Sequence, residues 1–290
     1  MSTLRRIMLM NAAALAAVAL LGGCGTSISL KEQPKTLSAP QIAAIVNSPD
    51  RSDADRENDQ RRKPEALLGF IGIEPGITAL DVSAGGGYTT ELLARAIGPG
   101  GLVYGQVPPR RLPPVDAAPV APEGGAPAAE AAPPPAPRPP GAALIERAAK
   151  LQTWGIPAAA IGLVVQAFEN PVPLNLSVSR LDLVTLMFNY HDLGHLGVDR
   201  GQMNRAIFRG LKPGGLYVIA DHSGRPGTGI TESGTLHRVE QALVRQEVEA
   251  AGFKLVAEGQ FLRNPNDPRD RNTPEPPQPK DEFVMKFVKP

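Results

Sequence analysis

Short apolar runs alternate with stretches of helical periodicity along most of the chain, and turn residues mark where one gives way to the next. Residues 77–82 are β-branched and apolar, follow the Glu74-Pro75-Gly76 turn and lead straight into Gly85-Gly86-Gly87. That pattern predicts a strand entering a glycine loop. Residues 88–97 suit a helix stopped by Gly98-Pro99-Gly100, and residues 101–106 a second strand. Strand, loop, helix and strand in that order form a βαβ unit, which calls for a parallel sheet. Further strands are expected at 161–166, 181–188 and 216–221, and helices at 39–47, 142–151 and 200–211. Leu236, Val239, Ala242, Leu243 and Ala250 share one helical face that Gly252 ends. Two closing strands at 253–258 and 282–288 complete an α/β pattern with helices on both faces of the sheet and one antiparallel strand at the end.

The two ends of this pattern are bounded by segments of other character. Arg5 and Arg6 precede an apolar stretch at 7–21 and then Gly22-Gly23-Cys24, the layout of a secretory signal. The stretch is short for a membrane span, and its glycines oppose a buried helix. Leu21-Gly22-Gly23-Cys24 looks like a bacterial lipobox, whose cysteine is lipidated and becomes the mature terminus. Cys24 is the one cysteine in the chain, which excludes a disulfide, a catalytic thiol and a cysteine metal site. The reading is a signal peptide at 1–23, a tether at 24–38 and a body exported to the periplasmic face of a bacterial membrane. The paired arginines also occur in twin-arginine signals, but the fuller consensus is missing, so ordinary export is the simpler expectation.

Composition changes the picture in one place. Thirteen of the 31 prolines fall within 108–141, a segment with almost no large apolar residue, which is expected to be a disordered insertion. It divides the body into halves at 39–107 and 142–290. The chain as a whole is 42 % hydrophobic in keeping with an ordinary core, and its 30 basic against 29 acidic residues give a net charge of +1. Nucleic acid is therefore not an expected partner. The mixed charges at 51–63 read as a solvated helix face with pairs such as Glu57 and Arg61; the rival reading is a cap over a substrate pocket.

Doubly wound sheets bind ligands at the carboxyl ends of their strands, so the residues after each apolar run carry the chemistry. The glycine loop lacks the third glycine of a dinucleotide fingerprint, since position 90 is Thr90, and there is no phosphate loop. Three strings, Leu80-Asp-Val-Ser-Ala-Gly-Gly-Gly-Tyr88, Leu181-Asp-Leu-Val-Thr-Leu-Met-Phe-Asn-Tyr-His-Asp192 and Leu211-Lys-Pro-Gly-Gly-Leu-Tyr-Val-Ile-Ala-Asp221, occur in this order. With them the chain resembles class I S-adenosylmethionine-dependent methyltransferases, and more closely a group of uncharacterised bacterial members, over roughly residues 39–290. The resemblance implies a Rossmann-like, doubly wound, mostly parallel seven-stranded sheet with one antiparallel strand near the C-terminus. It implies S-adenosyl-L-methionine as cofactor, held by Asp81, Ser83, Gly85, Gly86, Gly87, Gln106, Phe168, Glu169 and Asn189. Ser83 stands where the family has its first glycine, and Gln106 stands where the family has an acid for the ribose hydroxyls. Phe168 and Glu169 match positions that flank and bind the adenine.

Methyl transfer to a poorly ionised oxygen or nitrogen needs alignment and a base tuned near neutrality. His191 suits that role, Asp192 would orient it, and Tyr190 with Asn189 falls in the stretch where relatives shape the methyl-acceptor site. A zinc set of His191, His195, Asp192 and His222 is the alternative chemistry, disfavoured because Gly194 is expected to interrupt the helix joining the first two histidines. No metal is expected. The reading from another class is an exported lipoprotein that keeps this fold as a binding or scaffolding module without turnover.

Overall fold

A computed structural model of the chain describes residues 36–110, 138–274 and 277–290. The signal, Cys24, nearly all of the tether and residues 111–137 of the insertion lie outside them. Among the described residues no helix is long and apolar enough to cross a membrane.

The strands are β1 (Thr78–Val82), β2 (Leu102–Val107), β3 (Ala160–Val165), β4 (Leu181–Met187), β5 (Leu211–His222), β6 (Lys254–Gly259) and β7 (Glu282–Val288). They form one sheet in the order β3-β2-β1-β4-β5-β7-β6. Every pairing is parallel except those of β7, which runs antiparallel to both β5 and β6. This is the Rossmann-like doubly wound sheet expected from the sequence. The strands run outward as β1-β2-β3 on one side and as β4-β5-β7-β6 on the other, so the switch point falls between β1 and β4. That crevice is where such sheets place ligands.

The helices are α1 (Ala39–Val46), α2 (Asp53–Arg62), α3 (Pro64–Ile71), α4 (Tyr88–Ile97), α5 (Ala142–Thr153), α6 (Asp192–His195), α7 (Arg200–Gly210) and α8 (Gln241–Ala250). Strand alternation feeds two core layers, one on each face. Ala79, Val218 and Val284 face the layer built with α1, α3 and α4, including Leu68, Leu92 and Leu93. Leu80, Ile219 and Phe283 face the other, built with α7 and α8 through Met203, Ile207, Val244 and Val248. Burying a leucine or phenylalanine side chain contributes about 1.5–3 kcal/mol, so these two layers supply most of the driving force.

Three local expectations give way. Helix α3 was not foreseen in the sequence pattern; Pro64 opens it and Gly72, at φ 73°, closes it. The helix expected from Leu236 onward begins only at Gln241. Val239 instead bridges Ser223 in parallel, its N–H donating to His222 O while its carbonyl accepts from Gly224 N–H. Pairing with the end of β5 thus overrides the helical periodicity, and His237 sits in that loop at φ 51°. Finally, β5 begins at Leu211, upstream of its expected start, with an irregular register against β4.

Candidate functional site

Asp81 lies near the carboxyl end of β1, fully buried. Its carboxylate accepts from Thr90 Oγ1 on α4 at 2.7 Å and from Thr185 Oγ1 on β4 at 2.8 Å. Burial pushes this carboxyl up to about 6, against the opposing pull of the two hydroxyls and of Arg62. The chain then turns at Ser83, whose φ of 59° is unusual for a side-chain-bearing residue. Ser83 N–H donates to Gln106 Oε1 at 2.9 Å, and Gln106 Nε2 donates to Gln166 O at 2.6 Å. Gln106 is fully buried and engages both ends of its amide inside the protein, clamping the β1 loop to the end of β3. It therefore presents no free amide to a ribose, contrary to expectation.

Gly85 and Gly86 are exposed at the crevice. A side chain at Gly86 would meet nothing within 4 Å, so this backbone is open to a ligand. Gly87 is different: at φ 79°, its Cβ would strike Leu144 Cδ2 and Arg147 Cδ of α5, each at 2.8 Å. Glycine is required there for packing. Phe168 packs into the core layer of α7 and α8, with Glu169 half-buried beside it.

Above the loop lies α2, whose charged run is solvated along one side, Glu57 and Arg61 included, and docked along the other through Asp55, Asp59 and Arg62. Arg147 reaches from α5 to grip Asp55 of α2 through two nitrogens (2.7 and 2.8 Å), while its Nε donates to Gly86 O at 2.6 Å. Arg51 pairs with Asp59, which also accepts from Tyr88 Oη at 2.6 Å. Arg61 meets Glu282 at 3.1 Å. The Arg62 guanidinium stacks 4.6 Å from the Phe188 ring centre and 5.3 Å from that of Tyr88. Its Nε is buried without a hydrogen-bond partner, and burial lowers the guanidinium's pKa. Helix α2 is thus docked as a cap over the crevice.

Beyond β4 the chain carries the remaining candidates. Asn189 accepts from Ser83 Oγ at 2.8 Å and donates to Asp192 Oδ2 at 2.9 Å, so it links the glycine loop to the next cluster. Tyr190, expected at the acceptor site, points into the core instead. Its hydroxyl donates to Glu247 Oε2 at 2.6 Å and accepts from Asn204 Nδ2 at 3.0 Å. Burial, with Glu247 beside it, holds the phenol well above its ordinary 10. The turn after β4, with Phe188 at φ 59°, directs this side chain inward.

His191 is buried between two carboxylates. Its Nδ1 is 2.6 Å from Asp221 Oδ1, its N–H donates to Asp221 Oδ2 at 2.8 Å, and its Nε2 is 3.1 Å from Asp192 Oδ1. Burial disfavours the imidazolium, but the carboxylates outweigh it and raise the pKa to about 9. Both ring nitrogens thus face carboxylates, which disfavours the expected role as base. His237 Nδ1 approaches the same Asp192 Oδ1 at 3.0 Å, and His195 Nδ1 at 3.8 Å. His222 stacks 5.2 Å from His191, its Nδ1 2.9 Å from Glu282 Oε1 but outside hydrogen-bond geometry. Burial lowers His222 to about 3 and raises Glu282 to about 7.

All four histidines of the chain thus gather in one cluster. Gly194 does not interrupt α6; its lack of a side chain lets Ile230 and Ser233 approach, where a Cβ would lie 2.4 Å from Ile230 Cγ1. The sequence reading missed Arg147, and it carried Arg62 and Asp221 only as members of the charged run at 51–63 and of the third motif string.

No family model matches the chain, and no curated protein matches it. Among solved structures it is similar to an arsenic(III) S-adenosylmethionine methyltransferase from Chlamydomonas reinhardtii, 15 % identical, with a TM-score of 0.51. That alignment covers 87 % of this chain and 74 % of the other. It is also similar to a SAM-dependent methyltransferase from Aquifex aeolicus, 17 % identical, with a TM-score of 0.49, over 88 % and 100 % of the two chains. At such identities the likeness is one of fold.

Proposed function

We propose that the chain is an S-adenosylmethionine-dependent methyltransferase whose cofactor binds over the glycine loop. The carrying observation is the open Gly85–Gly86 backbone at the switch between β1 and β4, beside the N-terminus of α4. The residues fit the methionine end of such a cofactor: glycine backbone, a helix N-terminus for a carboxylate, and the unpaired Nε–H of Arg62 under the cap. The ribose end departs from the family, because Gln106 is engaged elsewhere and Val107-Pro108-Pro109-Arg110 supplies no acid.

The cofactor supplies a methyl group on a sulfonium, activated for in-line transfer. What the protein supplies is alignment and exclusion of water: α2 covers the crevice, and Asn189 ties the loop to the cluster where an acceptor would sit. With Nδ1 against Asp221 and Nε2 against Asp192, His191 has no free ring nitrogen with which to act as a base on an acceptor.

Gly86→Val tests the reading directly, since the new side chain enters open space on the ligand side and leaves the fold intact. Calorimetric titration of the whole chain should give saturable binding of S-adenosylmethionine and its demethylated product, lost in Gly86→Val at unchanged melting temperature. Absence of binding to the wild type at millimolar ligand would leave the non-catalytic binding module, which the engagement of Gln106 favours.

Export with a lipid anchor at Cys24 is the second part of the proposal, supported by the lipobox-like Leu21-Gly22-Gly23-Cys24. Cys24→Ser should abolish acyl labelling and leave a precursor of unprocessed length; normal processing of the variant would remove this part.

A further inference from the structure

We infer that the loops after β4 and β5 form a site for a divalent transition-metal ion, with His191 Nε2, Asp192 Oδ1 and His237 Nδ1 as its ligands. Each of these residues offers a ligand atom within 4.8 Å of those of the other two. Zinc binds imidazole nitrogen and carboxylate oxygen at about 2.0–2.2 Å, which sets tetrahedral ligands roughly 3.3 Å apart. The separations from Asp192 Oδ1 are 3.1 Å to His191 Nε2 and 3.0 Å to His237 Nδ1. Little movement would open them to coordination distances.

The surroundings are those of an oriented ligand set. His191 is fixed from behind by Asp221, which approaches Nδ1 and also accepts the backbone N–H groups of residues 191 and 222. A carboxylate on the far nitrogen holds a ligating imidazole in position and raises its basicity. Asp192 is held the same way: Asn189 donates to Oδ2, leaving Oδ1 for the ion. His237 is kept in the cluster at φ 51°, a left-handed conformation that residues with a side chain rarely adopt. Two histidine nitrogens lie within about 3 Å of one carboxylate oxygen and a third lies at 3.8 Å, and a shared cation accounts for that convergence better than one proton does. His195 stands outside the set, because its Nδ1 is 3.0 Å from Ser233 Oγ.

A second set, His191, Asp221 and His222, is also close enough. It would draw Asp221 away from the backbone amides it caps and would seat the ion deeper, so the outer set is favoured. Two imidazoles and one carboxylate suit zinc or ferrous iron and leave at least one position open. Asp192 and His237 are partly exposed, so that position is reachable from solvent, and Asp192 stands one side chain from the glycine loop through Asn189. On the methyltransferase reading, the acceptors are molecules that bind a metal through oxygen, nitrogen or sulfur. This last step rests on that reading; the binding of the ion does not.

Cobalt(II) titration of the untagged, chelator-stripped full chain tests the site without any methyl donor, so its failure is distinct from failure of the methyltransferase reading. The visible absorption of the bound ion should saturate at one equivalent and be displaced by zinc. Asp192→Asn and His237→Ala should each weaken binding by about tenfold or more, and His195→Ala should change it by no more than roughly twofold. Thermal melts of the metal-free variants check that each has folded; His237 is exposed enough for its replacement to be tolerated. Binding lost in His222→Ala but kept in His237→Ala would move the ion to the inner set and overturn the assignment. No stoichiometric binding by the wild type would remove the site.

Discussion

Asp81 shows how one residue serves the site at a cost to the fold. Its folded pKa of about 6 lies above the value of about 3.9 for an unfolded chain. Below pH 4 the group is protonated in both states and carries no penalty. Between pH 4 and 6 the unfolded chain releases its proton while the folded chain keeps it, so stability falls by about 2–3 kcal/mol across that interval and levels off above it. Asp81→Asn removes this dependence while still bonding both threonine hydroxyls. Denaturant unfolding from pH 4 to 7 should therefore show the variant gaining on the wild type as pH rises. A constant difference would mean that the carboxylate is not strained by burial. Residues of this kind were legible in the sequence because an acid at a strand end followed by glycines is a local signal. Gln106 and Tyr190 were not, since their partners lie 23, 60, 14 and 57 positions away and only the finished fold brings them together.

Among the elements, α2 departs most from its sequence reading. It carries no apolar stripe, so hydrophobic periodicity could not reveal that it docks. Ion pairs and arginine stacking hold it, and Arg147 is the central one, joining α2, α5 and the glycine loop. A lysine cannot reproduce the forked grip on Asp55 together with the bond to Gly86 O. Arg147→Lys should lower stability by about 1–3 kcal/mol, allowing for the partial exposure of the pair. Amide exchange should quicken in residues 53–62 before the rest of the body, and uniform protection across the chain would contradict the cap. The mispositioned start of α8 has a related cause: residues 236–239 fit a helix by pattern, but backbone pairing with Ser223 is stronger than that pattern.

At the scale of the molecule the sequence was most informative, because the alternation of strands and helices dictates a doubly wound sheet with little help from side-chain detail. The antiparallel strand was expected from two consecutive strands near the end of the chain, and β7 fills that place. What the linear order conceals is that β7 follows β6 in the chain yet lies between β5 and β6 in the sheet. The order of synthesis is therefore not the order of assembly. Once β5 has left the ribosome its outer edge has no correct neighbour until β7 appears about 60 residues later. At about 5–20 residues per second that is roughly 3–12 seconds. During that interval β6 can pair with β5 only wrongly, and the exposed edge offers a chaperone a chain that has not yet closed.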